Sequence, residues 1–199
     1  MNQPTKRQQE IVRAAIVLIA NHGFQSFTTK RLALELGVTE PALYRHFTNK
    51  LAIMLGILAH FEEVSLRIRH SFDHPQHSGV QLIELFLRDR YMIFSNDPEI
   101  AKVMFAEEIF LDETRLAPKI LQIMDEHRNL LIKAIRQGQS EGTIRTDITF
   151  NQLFHIIVGS MRLIIDRWCL SGYGFDLNTE GMQLWEAIKK LITPGKSVT

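Results

Sequence analysis

The sequence predicts an all-α protein of about nine helices, with an N-terminal three-helix unit that carries a helix-turn-helix and a larger helical C-terminal body. Three observations lead there. Apolar residues recur at three- and four-residue spacing through most of the 199 positions. No segment shows the sustained alternation of a half-buried strand; Thr143 to Ile148 is the only candidate, and it is short and turn-like. The breaks in the helical pattern fall at clusters of Gly, Pro, Asn and Asp, at His74–Gly79, Asn96–Pro98, Leu111–Thr114, Gly138–Asp147 and Ser171–Gly174.

Each element has its own signals. Ile11, Ala15, Leu18 and Ile19 form one face of a first helix, which Gly23 closes after Asn21-His22. Thr28 caps a short second helix with Leu32, Ala33 and Leu36 on its apolar side, ended by Gly37. Thr39 caps a third, with Pro41 in the first turn, where the missing N–H has no intrahelical partner to lose. Asn49 caps a longer helix from about 50 to 72. Further helical runs are expected near 80–95, 99–110, 115–140, 150–170 and 179–192.

Composition bounds the function. With 45% apolar and 23% charged residues the chain is an ordinary globular sequence. The most apolar stretch, Leu153 to Ile165, is punctuated by His155 and Arg162, so a membrane span is rejected. The polar start MNQPTKRQQE has no apolar signal core, and the single cysteine, Cys169, allows no internal disulfide; a reducing cytoplasm is the expected location. Charge is uneven. Residues 1–50 hold seven Lys/Arg against three Asp/Glu, and the remainder holds sixteen against nineteen. A basic head on a slightly acidic body suits an anionic partner at one end.

The densest chemistry lies in residues 37–50, GVTEPALYRHFTNK. Two short helices joined at Gly37-Val38 make a helix-turn-helix pattern, whose small core is read as Leu32, Ala33, Val38, Leu43 and Phe47. The second helix then turns Thr39, Glu40, Ala42, Tyr44 and Arg45 outward, where it can enter a DNA major groove. Small residues such as Pro41 and Ala42 permit close approach and contact with a thymine methyl.

Thr28, Leu32-Ala33, Gly37-Val38-Thr39, Ala42-Leu43-Tyr44, His46-Phe47 and Lys50 together resemble the DNA-binding domain of the TetR family of bacterial transcriptional regulators, over about residues 7–55. The resemblance implies that Thr28, with the start of its helix, and Tyr44, His46 and Lys50 meet backbone phosphates. It places Thr39, Glu40, Pro41, Ala42 and Arg45 in or beside the groove. Glu40 departs from the family's usual choices. A carboxylate there could accept from a cytosine amino group, or form an ion pair with Arg31 or Arg45. Leu51 stands where the family often has Glu, which weakens the expected capping at that helix start.

The family implies a DNA-reading domain over 1–47 and a ligand-binding, dimerising domain over 48–199. In the body, Phe86, Arg90, Phe105, Met124, His127, His155 and Arg162 are the candidate ligand residues, with Phe110 among further apolar lining; ordinary core is the alternative for the aromatics and methionines. Arg162, in an apolar helix, is expected to pair with Asp166 four residues on, or to meet an anionic ligand group. The last two helices supply Leu153, Ile156, Ile157, Ile164, Met182, Leu184, Trp185, Ile188 and Leu191, with Gly159 and Ser160 for close approach, as a homodimer surface. His70, His74 and His77 have ligand-like spacing, but Pro75 breaks the helix, so no metal site is expected, and no cofactor. No catalytic constellation is present. The expected function is a homodimeric repressor of a palindromic double-stranded operator, released by a small-molecule effector. The alternative is a DNA-binding adaptor that acts through a protein partner in chromosome or division control.

Overall fold

The structure is a computed structural model that describes residues 4–72, 76–106 and 114–194. His74 and Phe110 lie outside those residues. Within them all regular structure is helical: α1 Lys6–His22, a 3₁₀ turn Phe24–Ser26, α2 Thr29–Glu35, α3 Glu40–Tyr44, α4 Lys50–Leu66, α5 Arg69–Phe72, α6 Gly79–Asn96, α7 Pro98–Phe105, α8 Ala117–Ser140, α9 Phe150–Leu170 and α10 Leu177–Ile192. The 143–148 segment is turn and bend, with Arg145 N–H donating to Ile192 O at 2.8 Å. The helix expected from about 50 to 72 is interrupted at 67–68 by a turn with neither Gly nor Pro, so composition does not flag it.

Local chemistry sets the ends. Thr5, Ser78 and Thr149 each cap a helix, with Gln8, Gln81 and Gln152 reaching back to complete a capping box. Asn49 accepts from Ala52 N–H at 2.9 Å, which caps α4 without any help from position 51. Gly23 closes α1 at φ 75°.

The chain packs as two compact units, residues 1–64 with 99–122, and residues 65–98 with 123–199. The first is built on Ile11, Ala15, Ile16, Phe27, Leu32, Leu43, Ile53 and Ile57, all at most 1% exposed. Arg13 pairs with Glu99 at 3.3 Å and Lys119 with Glu62 at 2.6 Å, tying α1 and α4 to α7 and the start of α8.

The second unit packs α6 against α10 and α8, and α9 against α10, around Phe86, Tyr91, Phe94, Ile135, Trp168 and Trp185. Both buried indoles are satisfied, Trp168 by Phe175 O at 3.0 Å and Trp185 by Glu84 at 3.2 Å. Of the residues expected on a dimer surface, Leu153, Ile157, Trp185 and Ile188 are instead core of this unit, 5% exposed or less. Both helices are apolar on more than one side, and the sequence does not say which side faces inward. The apolar residues left outside on α9 are Ile156, Leu163 and Leu170, at 42, 63 and 88% exposed, and on α10 Leu191 at 67%.

Two glycines let helices approach closer than a side chain permits. A Cβ on Gly79 would lie 2.2 Å from Ala134 O and from Gly138 N, so α6 starts directly on the backbone of α8. A Cβ on Gly181 would lie 2.5 Å from the Tyr91 ring. Gly159 has open space at its Cβ position. Gly79→Ala is therefore expected to abolish cooperative folding of this unit, and Gly181→Ala to destabilise it by about 1–3 kcal/mol. Gly159→Ala is expected to stabilise its helix by up to about 1 kcal/mol. Urea denaturation at one fixed protein concentration checks all three.

Candidate nucleic-acid interface and buried polar cluster

The reading helix α3 has only five residues, so its position is set by what surrounds it. Gly37 sits at φ 64° and closes α2: its N–H donates to Leu34 O at 3.0 Å, and Val38 N–H donates to Ala33 O at 2.9 Å. That paired ending needs a left-handed residue after the helix, which glycine supplies at no steric cost. Thr39 then caps α3, its hydroxyl accepting from Ala42 N–H at 3.4 Å. Leu43, 1% exposed, anchors α3 against α2, whose Leu32 and Ala33 are buried too. Val38 and Phe47, expected with them in the core, are half-buried.

The outward side carries most of the expected DNA-facing residues. Thr28, Thr39, Pro41, Tyr44, Arg45 and His46 are exposed, and Glu40, Ala42 and Lys50 are half-buried. Arg45 and His46 line a small cleft of about 180 Å³ with Arg7 and Ala42 over an apolar floor of Ile11, Val38 and Leu43. Arg7 is an addition to the expected set; its place in the basic N-terminal charge count is the signal that points to it. Gln8 ties the segment down by donating to His46 O at 3.1 Å.

Lys50 is held rather than free. Its Nζ lies 4.6 Å from the Phe24 ring centre and 5.0 Å from that of Phe27. Burial against these rings lowers the pKa of the ammonium, while the ring faces attract the cation. The result is a charge fixed at the first residue of α4.

Glu40 forms neither ion pair considered for it among the described residues. Its Oε1 accepts from the Thr29 hydroxyl at 2.5 Å, and Thr29 Oγ1 lies 3.1 Å from the Tyr44 hydroxyl. Sequence reasoning misses Thr29: it follows the cap Thr28, and only the α2–α3 crossing reveals its partner.

In the second unit, Phe86, Arg90 and His127 come together. Arg90, 2% exposed, donates from Nε and Nη2 to the same Asp89 oxygen, at 3.1 and 2.7 Å. Among the described residues its Nη1 reaches only Ser65 Oγ, at 3.5 Å. The Phe86 ring lies 5.4 Å from the guanidinium carbon and 6.0 Å, edge to face, from the His127 ring. His127 Nε2 is shut off from solvent and has no hydrogen-bond partner among the described residues. Burial, then the charges of Arg90 and Arg69, push the His127 pKa down to about 3, so the imidazole is neutral. The other candidates lie elsewhere. Met124 is 51% exposed, His155 is exposed, and Phe105 belongs to the first unit. Arg162 and Asp166 stand 3.8 Å apart with about two-fifths of each side chain exposed, a weak surface pair instead of a buried one.

An exposed helix-turn-helix with basic and hydroxyl side chains around a short second helix, on an all-helical chain with a separate second unit, defines a DNA-binding regulator. Residues 11–57 match the family model for bacterial regulatory proteins of the tetR family, and residues 58–195 match that for the C-terminal region of YsiA-like proteins. The chain belongs to the TetR family of DNA-binding transcriptional regulators, whose members bind DNA and dimerise. It is 23% identical over 189 residues to a nucleoid occlusion factor, SlmA, of Photobacterium profundum, covering 94% of this chain and 96% of that one. Among solved structures it resembles the fatty acid degradation regulator FadR of Bacillus halodurans, with TM-score 0.83, 18% identity and 94% and 97% of the two chains covered. It also resembles FadR of Bacillus subtilis in complex with stearoyl-CoA, with TM-score 0.79, 20% identity and 92% and 98% covered. At these identities the structural likeness speaks for the fold. No described helix is long and apolar enough to cross a membrane, and no group of three His, Cys, Asp or Glu among the described residues is placed to hold a metal.

The His127 environment predicts a pH effect. The unfolded chain takes up a proton on this histidine near pH 6.5 and the folded chain only near 3, so stability is lost as pH falls through that window. Between pH 6.5 and 5, above the range of most carboxylates, the slope is expected to reach up to about 1.4 kcal/mol per pH unit in the native sequence and to flatten in His127→Gln. Denaturant unfolding at a series of pH values measures it.

Proposed function

We propose that this chain is a homodimeric repressor that reads a palindromic operator through α3 and leaves it when an effector binds in the second unit. Residues 1–47 form the reading head and 48–199 the regulatory and dimerising part. In the head, Thr28, Tyr44, His46 and Lys50 hold phosphates, and Thr39, Glu40, Pro41, Ala42 and Arg45 lie along the base edges. Two heads on one duplex require a dimer, and the exposed apolar row Ile156, Leu163 and Leu170 on α9, with Leu191 on α10, supports a four-helix interface between copies.

The observation that carries the effector is the buried polar cluster. A solid core has no use for a guanidinium with one nitrogen under-bonded, and a neutral imidazole with its Nε2 unfilled, among the described residues. An apolar ligand with an oxygen acceptor would complete both. The stearoyl-CoA in the FadR of B. subtilis supplies a ligand of that chemistry to try first. The second reading, an adaptor that works through a protein partner, is favoured by the similarity to the nucleoid occlusion factor.

Titration separates them. A long-chain acyl-CoA is expected to raise the melting temperature of the chain and to weaken its hold on operator DNA at least tenfold, and Arg90→Met to abolish both effects. Unchanged operator affinity with and without a series of acyl-CoAs would sink the effector reading and leave the adaptor. In the head, Lys50→Ala is expected to weaken binding to every duplex by a similar factor and to lower the salt-dependence slope by about one. Filter binding over a salt series reads both.

A further inference from the structure

The small cleft beside α3 is walled by basic side chains from two helices. Arg7 stands on the first turn of α1, and Arg45 and His46 follow from the end of α3. No carboxylate is in its lining. The two walls are tied together by Gln8, whose Oε1 accepts from Thr5 N–H at 2.9 Å while its Nε2 donates to His46 O at 3.1 Å. Arg7 is committed only to Glu10. Its Nη1 meets that carboxylate at 2.7 Å, with 37% and 44% of the two side chains exposed. An exposed pair of this kind is worth little, and most of the guanidinium's N–H donors stay available. Two guanidiniums lining one depression repel each other, and an anion between them removes the repulsion. The floor narrows the kind of anion. It is the apolar Ile11, Val38 and Leu43, with Ala42 beside them. A small hydrated ion gains nothing from such a surface. A phosphodiester does, because its oxygens meet the guanidinium fork while the neighbouring deoxyribose carbons rest on the floor.

We propose that this cleft seats one backbone phosphate of the duplex, gripped jointly by Arg7 of α1 and His46 after α3. The inference rests on the DNA-reading role of α3 proposed above. It extends the interface to α1, and to a residue that lies before the stretch matching the family model, which starts at residue 11. Arg7 acts through its side chain alone. Arg45, on the rim of the same cleft, adds its charge to the seat and still reaches base edges. Because Gln8 joins the start of α1 to the segment after α3, a phosphate seated between them fixes how α3 lies in the groove. Arg7 thereby supplies affinity for every sequence and sets the register in which the other side chains read.

The test uses the full chain and a duplex selected from a random-sequence pool, made as a set in which one backbone phosphate at a time is an uncharged methylphosphonate. Circular dichroism checks the fold of each variant. The native chain is expected to lose about threefold or more in affinity at each phosphate it grips. Arg7→Gln should weaken binding to the unmodified duplex by a similar factor, and one phosphate per half-site should become silent to neutralisation. The same phosphate, or its immediate neighbour, should fall silent in His46→Ala, because both side chains line one cleft. Arg7→Lys keeps a positive charge there and should keep that phosphate sensitive. Replacing chloride by inorganic phosphate at equal ionic strength should affect the native chain and Arg7→Gln alike. Those results together support the seat. Three results overturn it while leaving DNA reading intact: an Arg7→Gln chain still sensitive at every phosphate the native chain needs, a silenced phosphate remote from the His46 one, or inorganic phosphate weakening the native chain alone. A native chain that selects no sequence from the pool overturns the reading role itself.

Discussion

Everything in the head depends on holding a five-residue helix that could not hold itself. A helix of that length does not offset the cost of its first turn in water. α3 exists because Gly37 turns the chain sharply out of α2, Thr39 satisfies the first free N–H, and Leu43 is buried on the α1–α2 core. These three constraints leave Pro41, Tyr44 and Arg45 exposed on the other side of α3. Its residues can then be chosen for what they present to a partner. The same economy applies to Lys50, whose charge is placed by two phenylalanine rings and the first turn of α4.

The second unit is held by a different constraint, a backbone-to-backbone crossing at Gly79 and Gly138 and a glycine-to-ring contact at Gly181. These close approaches set α6, which carries Phe86, Asp89 and Arg90. A buried guanidinium is costly unless paired, and Asp89, the preceding residue, pairs it at one edge. Among the described residues the other edge meets only Ser65, at 3.5 Å, and His127 Nε2 has no hydrogen-bond partner. Two helices, α4 and α8, have residues in both compact units, so the chain itself connects them. A ligand acts on DNA affinity only through its different affinity for the two states of such connections.

Much of this is legible in the sequence because the signals are local. Gly23, Gly37, Thr28, Thr39 and Asn49 each act within four residues, and each sits where the sequence puts it. What depends on distant partners is not legible. Glu40 has Arg31 and Arg45 nearby in sequence, yet its bond goes to Thr29 on the neighbouring helix. Arg90 stands out in the sequence, but nothing there says that Ser65, twenty-five residues earlier, faces it. Sequence places Leu153, Ile157, Trp185 and Ile188 on a dimer surface in error, because a helix that is apolar on several sides gives no clue to which side its own chain covers. The hydropathy of its neighbours suggests a buried Arg162, and it stands instead at the edge of the outward side of α9.

The central claim is that the frame of α1, α2 and the Gly37 turn exists to present α3 to DNA. Amide hydrogen exchange of the full chain, with and without a selected duplex, tests it most directly. Slower exchange confined to residues 28–30 and 39–50 is the predicted result. Slowing elsewhere in the chain, with residues 39–46 exchanging as fast as in the free protein, would contradict it.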